Sequence, residues 1–73
     1  MSEEFFERKA AFISWCIEEY AAVRGQNGQD VANYFAAHDV LDFLSKHYEI
    51  LHTQGRVSIL EAIADFIKTG ENR

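Results

Sequence analysis

An all-α fold is predicted: a small single-domain bundle of four helices, with one long N-terminal helix, two short helices and a C-terminal helix. Three observations lead there. Apolar residues recur at helical spacing in four stretches, with helix-starting or helix-ending residues between them. The chain has 73 residues, which leaves room for one domain near the lower size limit for an unassisted core. It is 48% hydrophobic and 14% aromatic, with six Phe, three Tyr and one Trp, a supply dense enough to fill that core. The helices are expected at about residues 3–24, 28–37, 40–47 and 54–69.

In the first helix Ser2 suits an N-cap, and Glu3 and Glu4 favour the positive end of the helix dipole. Phe5, Phe6, Phe12, Ile13, Cys16, Ile17 and Tyr20 share the face expected to meet the core. Cys16 in that stripe reads as a small buried hydrophobe; a nucleophile would need a thiol pKa lowered by groups from elsewhere in the fold. Trp15 points away from the stripe. Together with Glu4, Arg8, Ala11, Glu18 and Ala22 it follows the alternating four and three spacing of a helix-pairing seam. Two readings of Trp15 stand: a later helix of the same chain covers it, or it anchors a partner between Ala11 and Ala22.

Gly25 is placed to end the first helix in a left-handed turn. Asn27 suits the N-cap of the second, with Asp30 three residues on, and Val31, Tyr34 and Phe35 face inward. His38 and Asp39 form the next junction, where Asp39 can turn left-handed or cap, and Val40, Leu41, Phe43, Leu44 and Tyr48 point inward beyond it. The two short helices do not make a DNA-reading pair, because their turn is too short and Val40 to His47 carries only Asp42 and Lys46 as full charges.

From Tyr48 to Gly55 the helical pattern fails. Ile50 and Leu51 are expected to plug the core from an irregular connection, and Thr53 to cap the last helix. Gly55 in the first turn implies either close backbone contact or a late start. Ile59, Leu60, Ile63, Phe66 and Ile67 line the core face of the last helix, Gly70 ends it, and residues 71–73 fray.

Several function classes are disfavoured. Twelve Asp and Glu against seven Lys and Arg give a net charge of −5, the wrong sign for nucleic acid or anionic membranes. No apolar run approaches the roughly 20 residues of a membrane span, and the acidic start Met1-Ser2-Glu3-Glu4 is unlike a secretory signal. One cysteine makes no internal disulfide, so a cytoplasmic setting is expected. His38, His47 and His52 lack metal-ligand spacing, and nothing around Cys16 activates it, so no catalytic residue, metal or cofactor is assigned. A domain this small is also expected to offer little concave room for a substrate. Thr53, Gln54, Gly55 and Arg56 at a helix start form a candidate anion site, set against a purely structural junction in which His52 bonds the backbone.

The runs Trp15-Cys16-Ile17-Glu18-Glu19-Tyr20, Val40-Leu41-Asp42-Phe43-Leu44 and Tyr48-Glu49-Ile50-Leu51-His52-Thr53-Gln54-Gly55 resemble a family of short bacterial proteins described as a domain of unknown function. The likeness spans about Phe12 to Lys68 and is most specific at Leu51-His52-Thr53-Gln54-Gly55. It implies a small partner, antitoxin-like, of a larger ADP-ribosyltransferase-like protein encoded nearby, and it transfers no catalytic residues. Asp39 departs from the Gly that relatives carry at that junction, which puts the geometry between the two short helices in question. The expected function is therefore a protein-binding module that uses Arg8, Ala11, Trp15, Glu18 and Ala22, with self-association, or weak anion or nucleotide binding at the start of the last helix, as the alternatives.

Overall fold

The computed structural model describes the backbone of residues 2–71 and the side chains of residues 7–70. Every regular element among them is helical: α1 (Ser2–Arg24), α2 (Gly28–Ala37), α3 (Val40–Lys46), α4 (Tyr48–Leu51) and α5 (Arg56–Glu71). The expected all-α class holds, with one helix more than expected. The inward placement of Phe5 and Phe6, capping by Ser2 and fraying at residues 72–73 lie outside what is described.

Local chemistry sets the first two turns. Gly25 is left-handed at φ 66, and Gln26 N–H donates to Ala21 C=O at 2.9 Å while Gly25 N–H donates to Ala22 C=O at 3.4 Å. That pair of bonds closes the end of α1 as a Schellman motif, for which glycine carries no Cβ penalty. The Asn27 side chain then accepts from Asp30 N–H at 2.8 Å and caps α2. At the next junction Asp39 adopts φ 62 without a side-chain cap bond, so of the two roles expected of it the left-handed turn is the one it takes. Asp tolerates this conformation better than most residues.

The core joins Cys16, Tyr20 and Ala21 of α1, Val31 and Phe35 of α2, Val40 and Leu44 of α3, Leu51 of α4, and Ile59, Ile63 and Ile67 of α5. Aromatic pairs hold the interfaces. Tyr20 meets Phe35 edge-on at 5.2 Å between α1 and α2, Phe12 meets Tyr48 edge-on at 5.4 Å between α1 and α4, and Phe43 stacks on Phe66 at 4.4 Å between α3 and α5. Such geometries add to the burial of the rings themselves.

The stretch after Tyr48 corrects the sequence reading. Its first part, Tyr48–Leu51, is helical and presents Tyr48 and Leu51 to the interior while Ile50 is 63% exposed; residues 52–55 lie outside any helix. Val40, Leu44, Tyr48 and Leu51 continue one stripe at spacings of four, four and three across His47, the only residue between α3 and α4. Ile50 therefore does not plug the core. Thr53 does not cap the last helix either; its hydroxyl donates back to Ile50 C=O at 2.8 Å and closes the end of α4. α5 starts two residues later than expected, with Ile59 N–H donating to Gly55 C=O at 3.1 Å. A Cβ on Gly55 would meet nothing within 4 Å, so the late start, not a close contact, explains that glycine. Gly70 does not stop α5, which continues to Glu71.

Candidate functional site

The outward stripe of α1 survives folding as a surface. Arg8, Ala11, Trp15, Glu18 and Ala22 are all exposed, Trp15 to 36%. Beneath it Cys16 is fully buried, and burial alone pushes its thiol pKa from 9.0 up to about 12. At neutral pH it holds its proton and acts as a small core hydrophobe, so the nucleophile reading loses its physical basis.

The fold ties the two regions singled out in the sequence to each other. Trp15 stacks on Phe12 at 6.3 Å, Phe12 meets Tyr48, and Tyr48 stacks on His52 at 4.5 Å. An aromatic run thus links the α1 stripe to the start of the α4–α5 junction. Glu19, on the same flank, accepts a charge-assisted hydrogen bond from Arg56 Nε. On the opposite flank a Cβ on Gly28, the first residue of α2, would lie 2.9 Å from Glu18 Oε1, so that carboxylate rests against the α2 start.

This arrangement weakens the anion reading of Thr53, Gln54, Gly55 and Arg56. The Arg56 guanidinium already has a carboxylate partner and the Thr53 hydroxyl already has an acceptor. The junction is thus held by the protein's own groups, though not by those expected: Thr53 bonds back to Ile50, and the His52 ring stacks on Tyr48.

The three histidines share one environment. His38, His47 and His52 are the C-cap residues of α2, α3 and α4, and each packs on the aromatic four residues before it: Tyr34 at 4.1 Å, Phe43 at 5.0 Å and Tyr48 at 4.5 Å. The i to i+4 spacing that aligns side chains along a helix produces all three pairs. Among the described residues no group of three or more His, Cys, Asp or Glu is placed to hold a metal ion.

Sequence reasoning missed a groove of about 410 Å3 where the ends of α1 and α5 meet α2. Tyr20, Arg24, Asp30, Val31, Tyr34 and Lys68 are among its walls. The expectation of little concave room in so small a domain is corrected here. The only prior signal was Arg24 and Lys68, each in the last turn of its helix, and nothing in their spacing says that they converge.

Fold and surfaces together define a small helical domain whose candidate sites are one helix face and one groove. The chain belongs to a family of proteins of unknown function, DUF3791, whose model matches residues 11–70. No curated protein and no solved structure matches it. No helix among the described residues is long and apolar enough to cross a membrane.

Proposed function

We propose that this domain is a non-catalytic protein-binding module that docks through the outward stripe of α1. The observation that carries the reading is Trp15, which keeps 36% exposure at the middle of the exposed set Arg8, Ala11, Glu18 and Ala22. A large ring between two alanines gives a partner helix or loop close approach and an anchor, the combination from which interface energy is built. The net charge of −5 favours a partner with a basic face and speeds encounter with it. The resemblance drawn from the sequence supplies such a partner class, an ADP-ribosyltransferase-like protein whose pyrophosphate-binding site would be basic, with this chain as its antitoxin-like companion in the cytoplasm.

Co-expression with the neighbouring gene product tests this. A stable complex is expected, weakened at least about tenfold by Trp15→Ala, in line with a single anchor residue. Absence of a complex at micromolar concentration, with the neighbour's activity unchanged, rejects the reading. The seam spacing of Arg8, Ala11, Trp15, Glu18 and Ala22 also suits a second copy of the chain. Sedimentation at several concentrations separates the two, since self-association through this face requires a concentration-dependent dimer that Trp15→Ala abolishes.

A further inference from the structure

The groove at the far ends of α1 and α5 stands apart from the Trp15 reading, and charge accounting singles it out. Lys46 pairs with Asp42 at 3.1 Å and Arg56 pairs with Glu19, while Arg8 and Lys9 are also engaged. Neither Arg24 nor Lys68 joins an ion pair among the described residues, in a chain where acids outnumber bases twelve to seven. Both line the same groove, although they come from opposite halves of the sequence.

The remaining walls are suited to a ring. The Arg24 guanidinium lies 5.4 Å from the centroid of the Tyr20 ring, which is itself 8% exposed and therefore a fixed surface. Tyr34 and the buried Val31 continue the apolar and aromatic lining. Asp30 is the single carboxylate of the described lining, so the two cations and one anion leave a formal excess of one positive charge. A volume of about 410 Å3 falls within the roughly 300–1,000 Å3 usual for small-ligand sites. Placement in the last turn lets Arg24 and Lys68 complement the negative ends of their helix dipoles. That accounts for each residue singly and not for their shared outlook on one aromatic groove.

We propose that this groove binds a small organic anion in which a carboxylate or phosphate is joined to a planar ring. The anionic group lies between Arg24 and Lys68, and the ring lies along the wall formed by Tyr20, Tyr34 and Val31. A charge-assisted pair at each cation fixes the anionic end. Asp30 favours ligands that also carry a hydrogen-bond donor.

Titration of the isotope-labelled full chain by NMR, with phenyl phosphate, benzoate, inorganic phosphate and phenol as probes, tests the proposal. Saturable shifts centred on Arg24, Tyr34 and Lys68 are expected for phenyl phosphate or benzoate, with inorganic phosphate and phenol each at least about tenfold weaker. Arg24→Gln and Lys68→Gln should each lower affinity about tenfold, whereas Lys46→Gln should leave it unchanged. All three side chains are exposed, so the variants are expected to fold. No saturation by about 10 mM of any probe would show that the two cations serve their helix dipoles alone and overturn the proposal. Equal binding of inorganic phosphate and phenyl phosphate, or affinity unaltered in both groove variants, would overturn it as well.

Discussion

On α1, Trp15 and Cys16 are neighbours in sequence and opposites in environment. Cys16 is fully buried in a core closed by α2, α3 and α5, while Trp15, the larger and more apolar surface, keeps 36% exposure. Size and hydrophobicity alone would assign the two the other way round. Helical phase decides instead: Cys16 continues the line that reaches Tyr20, and Trp15 continues the line through Arg8, Ala11, Glu18 and Ala22. The inner face is completed by the chain itself; the outer face presents a large ring to whatever the domain meets.

The comparison breaks most visibly through the inner face. Phe35 is fully buried and meets Tyr20 edge-on at 5.2 Å, so Phe35→Ala removes both the ring and an aromatic α1–α2 contact. A cost of about 3–5 kcal/mol is expected, comparable with the whole stability of a domain this small. Far-ultraviolet circular dichroism in a urea series should find the variant largely unfolded without denaturant. A loss below about 1 kcal/mol would mean that the core does not depend on this contact.

The same inside and outside contrast recurs within four residues on α4. Leu51 is 5% exposed and Ile50 is 63% exposed. Leu51→Ala should cost about 2–4 kcal/mol, and Ile50→Ala should stay within about 0.5 kcal/mol. Equal effects in urea melts would restore the irregular connection in which both side chains plug the core.

That pair also shows why some of the molecule was legible in the sequence and some was not. Gly25, Asn27 and Asp39 were readable because left-handed turns and N-caps depend on a few adjacent residues. α4 is hard to read from the sequence because the adjacent apolar pair Ile50 and Leu51 masks the helical phase. Only the spacing from Leu44 to Tyr48 to Leu51 carries the helical phase, and His47 interrupts it. The start of α5 was placed too early because Thr53 has the chemistry of a cap, yet its hydroxyl is used backward, on Ile50. The exposure of Arg8, Ala11, Trp15, Glu18 and Ala22 was legible, since they lie on one helix; the Glu4 side chain of the same seam lies outside what is described. The groove was not legible, because Arg24 and Lys68 come to line it only through the tertiary packing of their helices, which no local spacing encodes.

Alkaline pH sharpens the inner half of the comparison by a smaller amount. The Cys16 thiol ionises near 9.0 when exposed and is raised to about 12 by burial in the folded chain. The unfolded chain therefore gives up this proton first, and the folded state loses stability as pH climbs from about 9 to about 12; below pH 9 the group adds no pH dependence. Other effects of alkaline pH are common to both chains, so the measurement is a difference: urea midpoints from pH 8 to pH 11 for the native chain and for Cys16→Ala. The variant should show the shallower decline. Parallel declines would place the thiol in contact with water, contrary to its full burial.

The smallest expected effect concerns the flank where the two faces of α1 meet. Glu19 and Arg56 join α1 to the first residue of α5 and are both partly exposed, so solvent screens their attraction. A double-mutant cycle with Glu19→Gln and Arg56→Gln should give a coupling of about 0.2–1 kcal/mol, reduced in high salt. The cycle also asks what the pair does for the junction. If Glu19 is what holds Arg56 away from anions, Glu19→Gln should let phosphate raise the melting temperature more than it does for the native chain, and Arg56→Gln should cancel that gain. A phosphate response unchanged by Glu19→Gln would mean that Arg56 is not aimed at an anion even when released. The junction would then be structural on its own account, and the contrast on α1 would rest on packing alone.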